Sequence, residues 1–385
     1  MHTITRVGDL DVIVKPAPVA MVWNEPGRPH DALAAPGVRL APGEALVEVE
    51  LATICGPDVR VVRGEQSAPV PLVLGHEQVG RVVAVGEGVT RFDGVPLELG
   101  DRVVWSTTVS CGQCDRCARS MPQACRSLGR YGHERVHRGW ELSGGFATHV
   151  QLRPGTAIVR APEDVPSRVL APAACTAATA FAALDAASAR VDLDGTVVLI
   201  TGAGLLGLTA AAMAIEAGAE VIVSDPDASR REFARRFGAV PVDPGARSAS
   251  PDSLGAALVA IERRGLGEVL VAIEASGAAS AVRTAVQVLG TGGVAVLVGS
   301  VPRGSEECLD AGSLVRRLVT IESVRDATGA QLRHAVAFLE RSWRSFPFDE
   351  LVGSTHPLAD LDLAMAEAAS GSFVRVGVAP GRRPV

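Results

Sequence analysis

Cys111, Cys114, Cys117 and Cys125 put four thiols within fifteen residues. Four sulfurs at that spacing can wrap one tetrahedral zinc ion, with zinc–sulfur bonds of about 2.3 Å and no position left for water. Such a site is structural. The alternatives are two local disulfides or four unligated surface thiols. The remaining cysteines, Cys55, Cys175 and Cys308, make the total odd, and Met1–Arg6 lacks the apolar segment of a secretory signal. An odd count without a signal fits a disulfide framework poorly, so a reducing, cytoplasmic compartment is the simpler expectation. In that compartment the four-cysteine segment reads as a zinc lobe.

A second constellation runs from Val197 to Gly207. Val197-Val198-Leu199-Ile200-Thr201 is an apolar strand leading into Gly202-Ala203-Gly204-Leu205-Leu206-Gly207, a G-x-G-x-x-G loop that opens an alanine-rich helix. In a dinucleotide site the first glycine allows the tight turn, the second lets backbone approach a pyrophosphate, and the third lets the helix pack on the strand. The amides of Leu205, Leu206 and Gly207, at the helix N-terminus, suit the phosphates. Asp225 follows Gly207 by eighteen residues at the end of the next strand. It is placed to accept from the ribose hydroxyls and to repel a 2′-phosphate, which favours NAD over NADP. Arg230 and Arg231, just beyond, pull that preference the other way. The bland reading is a glycine-rich turn that binds nothing.

The elements that must position these residues fall into two kinds. The 385 residues suffice for two domains, and 47% apolar with 21% charged residues fits a folded, soluble chain. A net charge of −6 leaves no basic footprint for nucleic acid. Val197–Ile215 carries no charge and has the length of a membrane span, but its strand–glycine–alanine pattern reads as a soluble strand–turn–helix, so no membrane partner is expected. Residues 1–20 read as a short extension of low information. From Met21 to about Val159 the chain is β-rich, with strands expected at 45–52, 80–89 and 101–105. Past Pro172, strands at 197–201, 221–224, 269–273 and 294–298 alternate with helices at 205–217, 229–237, 254–263 and 279–289. That alternation predicts βαβ units and a doubly wound parallel sheet. A helix at 331–339 and a strand at 373–378 close the chain.

Gly75-His76-Glu77-Gln78-Val79-Gly80, with Gly86 and Val89 beyond it, follows Cys55-Gly56-Pro57-Asp58 by about twenty residues. With Gly100-Asp101-Arg102-Val103, the cysteine lobe and the glycine-rich loop in this order and spacing, the chain resembles the zinc-containing medium-chain alcohol dehydrogenase family from about residue 20 onward. Tyr131-Gly132-His133-Glu134, Gly144–His149 and Phe346–Gly353 are similar to a bacterial branch associated with phosphonate catabolism. The resemblance implies an α/β architecture. A GroES-like catalytic domain spans 1–174, carries the zinc lobe at 110–126 and is completed by 325–385. A Rossmann NAD-binding domain spans 175–324, with the active site in the cleft between the two. It implies a catalytic zinc on Cys55, His76 and Cys175, beside the structural zinc on the four lobe cysteines. Two thiolates and an imidazole leave a fourth position for an alcohol, whose pKa the metal lowers before hydride passes to nicotinamide. It further implies that Asp58 orients the imidazole, that Glu77 sits behind the metal and exchanges with a ligand, and that Arg375 reaches the cofactor pyrophosphate. Thr107, with Trp105 close by, falls where the family lines its pocket. The strands Val294–Val301 and Leu318–Ser323 resemble those that join subunits, implying a homodimer or homotetramer. Cys308 reads as an ordinary small apolar residue, and His133, His137 and His149 carry no assignment.

Two positions depart from the family. Pro57 stands where most members have a Ser or Thr hydroxyl that takes the alcohol proton, and Arg60 where many have a relay histidine. Proline has no donor, and arginine is no base near neutral pH. Three explanations are open: the proton leaves through water or the nicotinamide ribose; the substrate carries its own acceptor, such as a phosphonate, whose anion Arg60 binds; or ordinary dehydrogenase activity is lost. The expected function is reversible oxidation of a primary or secondary alcohol by NAD. The alternatives are a redox-neutral, dismutase-like enzyme with tightly bound NAD, and a non-catalytic zinc- and nucleotide-binding protein.

Overall fold

A computed structural model describes residues 3–7, 11–245, 259, 261–299 and 309–381. The chain divides into two compact units. The first comprises Met1–Ala178, Asp326–Trp343 and Phe348–Val385; the second comprises Thr179–Arg325 and Arg344–Pro347.

The first unit is built on a large, mostly antiparallel sheet. Its spatial order is Gly129–Arg130, Arg102–Val109, Gln78–Val85, Ala45–Ile54, Arg375–Ala379, Val352–Pro357. His149–Leu152 also pairs with Ala45–Ile54, and Thr156–Arg160 with Arg102–Val109. The central strand Ala45–Ile54 was expected to be half-buried, yet eight of its ten residues are buried, because strands flank it and other elements cover it. The strands expected at 80–89 and 101–105 lie at Gln78–Val85 and Arg102–Val109. Trp105 is wholly buried in the core with Tyr131 and Phe146, so it packs the interior instead of lining a pocket.

Residues 1–20, read as a short extension of low information, contain two strands. Thr3–Val7 and Asp11–Lys15 pair antiparallel, and Gly37–Arg39 completes a small sheet. Val12 and Val14 are buried on one face while their neighbours are exposed, the two-residue period of a strand with one wet side. Val19–Trp23 then joins Asp31–Ala34 and Leu72–Val73.

The second unit is an open parallel sheet in the order Val240–Val242, Glu220–Ser224, Val197–Thr201, Val269–Glu274, Leu289–Leu297, Thr320–Ser323. Every adjacent pair is parallel, and the chain order reverses direction beside Val197–Thr201, the switch point at which such sheets bind ligands. The helices Leu205–Glu216, Ala228–Arg236, Ala279–Gln287 and Ala311–Arg317 connect the strands. The helix expected at 254–263 lies largely outside the described residues, as do Cys308 and the end of the joining strand expected at 294–301. The apolar stretch 197–215 divides into a strand and a helix, and among the described residues no single helix is long and apolar enough to cross a membrane.

The helix expected at 331–339 runs from Gly329 to Ser342. Its start is set by a capping box in which Thr328 and Gln331 satisfy each other's backbone amides.

Candidate active site

Four separate segments of the first unit converge on one buried point. Cys55 ends the strand Ala45–Ile54 and caps the short helix Gly56–Val62. His76 and Glu77 lie in the loop leading into Gln78–Val85. Cys175 sits between the turn Ala171–Ala173 and the helix Thr176–Ser188. Arg375 opens the strand Arg375–Ala379, whose register sets Val376 opposite Ile54 and so brings Arg375 beside Cys55. One ligand atom from each of Cys55, His76, Glu77 and Cys175 lies within 4.8 Å of the others.

The electrostatics of this point separate ligand candidates from supports. Glu77 is fully buried, and its oxygens are spoken for: Oε2 accepts from Thr53 Oγ1 (2.7 Å) and Arg375 Nε (3.0 Å), and Oε1 accepts from Thr176 Oγ1 (2.8 Å) and Arg375 Nη2 (3.3 Å). Burial would raise its pKa, but the Arg375 guanidinium overrides that and holds it below the usual carboxylate range. Arg375 also reaches Cys55 Sγ at 3.4 Å. Its Nε and Nη2 face the buried cluster, where Glu77 compensates its charge, and its Nη1 donates to the carbonyl of Val374.

The Cys55 thiol is lowered to about 6, first by the hydrogen bond from Cys175 and against the opposing effect of burial, while Cys175 is pushed up by the same bond. Asp58 Oδ2 accepts from the Cys55 amide at 2.9 Å, and Oδ1 accepts from the Gly75 amide at 3.4 Å. The His76 Nδ1 lies 3.5 Å from Asp58 Oδ1 and has no hydrogen-bond partner among the described residues. Two thiols and an imidazole, convergent and largely withdrawn from solvent, are the donor set of a zinc site that keeps one position open. They fit that ion.

The sequence reading missed His133. Its ring lies against that of His76, with centroids 4.8 Å apart and an interplanar angle of 34°. Burial, then the neighbouring His76, push its pKa down to about 4, so it is neutral. The segment Tyr131–Glu134 stood out in the sequence, but the contact of its histidine with His76 is a long-range one that no local pattern shows. Thr107 is half-buried, and its carbonyl accepts from the Tyr131 amide at 3.1 Å, which ties it to the same loop. Arg60 folds back along its helix, so that a Cβ on Gly56 would lie 3.5 Å from its Nη1. Among the described residues no acceptor is found for its guanidinium.

In the lobe, Cys114 and Cys117 Sγ atoms are 3.5 Å apart, Cys114 and Cys125 3.9 Å, and Cys111 and Cys125 3.4 Å. A disulfide needs about 2.05 Å. Tetrahedral zinc with bonds of about 2.3 Å spaces its sulfurs near 3.8 Å. The lobe therefore fits a tetrathiolate metal ion. Backbone amides of Cys111 and Ser127 already donate to Cys125 Sγ, at 3.3 and 3.4 Å.

In the second unit, Gly202 has φ +101°, a left-handed conformation that favours glycine. A Cβ on Gly207 would fall 1.8 Å from the Gly202 carbonyl, so turn and helix are in direct contact. At Gly204 a Cβ would meet only Arg230 Nη1, at 3.8 Å, which leaves the approach to the backbone open. The Asp225 carboxylate accepts from the amides of Ala203 (2.7 Å) and Asp227 (2.9 Å). Arg231 donates to the carbonyls of Asp225 and Pro226 and pairs with Asp243 at 3.0 Å, bracing that turn.

A β-rich unit with a buried two-thiol, one-imidazole cluster, together with a parallel-sheet unit bearing a dinucleotide loop, defines a zinc-binding dehydrogenase. The chain belongs to the zinc-containing medium-chain alcohol dehydrogenase family and is an oxidoreductase acting on CH–OH groups. Residues 41–163 match the alcohol dehydrogenase GroES-like domain, and residues 206–341 match the zinc-binding dehydrogenase family. L-threonine 3-dehydrogenase of a Chelativorans species is 30% identical over 324 residues, 82% of this chain and 83% of that protein. The 5-exo-hydroxycamphor dehydrogenase of Pseudomonas putida is 29% identical over 343 residues, covering 87% and 91%. The crystal structure of an alcohol dehydrogenase from Thermotoga maritima superposes with a TM-score of 0.86 at 27% identity, covering 94% of this chain and 99% of that one. The two units are thus GroES-like and Rossmann-like.

Proposed function

We propose that this chain reversibly oxidises a primary or secondary alcohol with NAD as hydride acceptor, using a catalytic zinc on Cys55, His76 and Cys175 and a structural zinc on Cys111, Cys114, Cys117 and Cys125. The observation that carries this reading is the convergence of buried Cys55 and His76 with half-buried Cys175 while Glu77, the fourth possible donor, is engaged by Arg375. Zinc bound there supplies a Lewis acid that makes a hydroxyl more acidic, and NAD supplies the hydride acceptor.

The chain's own residues do the rest. Asp58 ties the Cys55 amide to the His76 loop and faces the imidazole. Thr53, Thr176 and Arg375 hold Glu77 as a carboxylate behind the ligands. Asp225 would accept from the ribose hydroxyls of bound NAD, and the amides of Leu205, Leu206 and Gly207 would receive its pyrophosphate. With Arg230 over Gly204, the preference for NAD rests on Asp225 alone. Pro57 has no hydroxyl to accept a proton, so the alcohol proton leaves by another route.

Arg60 favours a finer reading. A guanidinium one helical turn from Cys55, without an acceptor among the described residues, suits an alcohol that carries an anionic group such as a carboxylate or phosphonate. Arg60→Ala is expected to raise KM for anionic alcohols about tenfold or more, the worth of one charge-assisted hydrogen bond. Neutral alcohols should change less than twofold, and equal losses for both classes rule the reading out.

The strand Thr320–Ser323 forms an edge of the parallel sheet, with Val315, Leu318 and Ile321 exposed near it. This supports a homodimer or homotetramer. The separated lobe thiols fit a reducing, cytoplasmic setting. The deciding experiment combines zinc analysis with NADH absorbance across neutral alcohols, diols, sugars and hydroxyalkylphosphonates. Two zinc ions per chain and NADH formation are expected. Zinc in the lobe alone, with no NADH from any substrate, overturns the proposal.

A further inference from the structure

His76 is held in an unusual way for an imidazole that is to bind metal. Such rings are normally oriented by a strong acceptor on the second ring nitrogen. Here the nearest acceptor, Asp58 Oδ1, is 3.5 Å from Nδ1, beyond the ordinary N–H···O range of about 2.7–3.2 Å. Asp58 divides its carboxylate between the Cys55 amide at 2.9 Å, the Gly75 amide at 3.4 Å and the imidazole. The polar restraint on His76 from the buried Asp58 is therefore long, and packing shares in setting its orientation.

The packing partner is His133, whose ring lies 4.8 Å from the His76 ring, centroid to centroid. The loop that carries it is anchored on both sides. The Tyr131 amide donates to Thr107 O at 3.1 Å, and the Gly132 amide to Ser143 O at 3.0 Å. Tyr131 is wholly buried, and its phenol oxygen meets Thr156 Oγ1 at 2.6 Å and accepts from the Arg153 amide at 2.8 Å. Gly132 has φ +75°, and a Cβ there would lie 2.5 Å from the carbonyl of Gly75, the residue before His76. The two loops are thus pressed backbone to backbone. Arg130, at the foot of the loop, pairs with Asp326 at 2.5 Å. The His133 ring is presented on a fixed support.

We infer that His133 is a positioning residue: its ring face sets the plane of the His76 imidazole and so governs how firmly the Cys55 site retains zinc. The inference rests on the proposed ligand set. The four-cysteine lobe, held in a separate loop, provides an internal control. Zinc release to a chromophoric chelator should be resolvable into two phases, one from each site. His133→Ala should speed the Cys55-site phase about tenfold or more, the usual effect of removing a support to a metal-binding histidine, and leave the lobe phase unchanged. His133→Phe keeps a flat ring without its nitrogens and should restore slow release. In cobalt-substituted protein the visible bands of the Cys55 site should shift in the alanine variant and return in the phenylalanine variant. Unchanged release in His133→Ala overturns the inference. So does a phenylalanine variant that behaves like alanine, which would make the nitrogens and not the ring face responsible, or equal acceleration at both sites, which would mark general loosening. Wild-type protein with zinc in the lobe alone would instead defeat the proposed ligand set, a result separable from these.

Discussion

The lobe draws all four donors from residues 111–125, whereas the Cys55 cluster draws its donors and supports from four segments spread between Thr53 and Arg375. Lobe sulfurs range from exposed to buried, and their partners are one another and local amides. Cys55, His76 and Glu77 are buried, and the partners of Glu77 arrive from two strands and a helix. A local chelate can form once its own loop closes. A distributed one exists only when the sheet register is already correct, so it is tied to the stability of the whole unit. The same ion would thus serve two ends: in the lobe it stabilises a loop, and in the cluster it meets substrate.

The largest test of this contrast is loss of a cluster donor. Cys55→Ser or His76→Ala should remove one zinc per chain, leave the lobe zinc in place, and lower turnover by about a thousandfold or more, since Lewis-acid stabilisation is worth several kcal/mol. Metal analysis and kinetics read both effects. Loss of both zincs together would erase the distinction between the sites.

Next comes Arg375→Met, which strands a buried carboxylate. Breaking such a pair costs about 3–5 kcal/mol, read by denaturant unfolding of metal-free protein. The sign with pH follows from Glu77. Its folded pKa is depressed, so its contribution is present above the unfolded value of about 4.3 and is lost as pH falls through the folded value. The stability difference between wild type and variant should therefore shrink on acidification below about pH 4. A difference that stays constant or grows there would mean that the guanidinium stabilises something other than Glu77.

A smaller effect is expected in the lobe. Cys117→Ser should release the lobe zinc and lower the unfolding temperature by a few degrees, with kcat of the molecules that remain folded nearly unchanged, because the damage is local. A collapse of kcat would join the lobe to the cluster. Smallest is Asp225→Asn, which touches neither metal. It should raise KM for NAD about tenfold, improve use of NADP, and leave both zincs bound.

Where structure is carried by short-range pattern, the sequence was legible. Val197–Thr201 lies at its expected bounds because a buried parallel strand is a continuous apolar run ended by glycine. The lobe was legible for the same reason, since its donors are neighbours along the chain. The N-terminal hairpin was missed because its buried face consists of little more than Val12 and Val14, a signal easily lost among polar residues. Trp105 was set near the pocket from its neighbourhood in the chain, but the stretch Arg102–Ser106 is buried on both faces of its strand, which puts the indole in the core. The pairing of Arg375 with Glu77 was not legible, because the counter-charge lies 298 positions earlier in the chain.

The linear text by itself determined the donor inventory: which thiols, imidazoles and glycines exist, and which of them are close along the chain. Only the tertiary structure decided which distant groups meet. The pairing of Glu77 with Arg375 follows from strand register, and the tilted ring contact of His133 with His76 follows from two loops pressed together at Gly75 and Gly132. Contacts of this kind depend on the closure of long loops, whose geometry is set by the packed core and leaves no local periodicity to read.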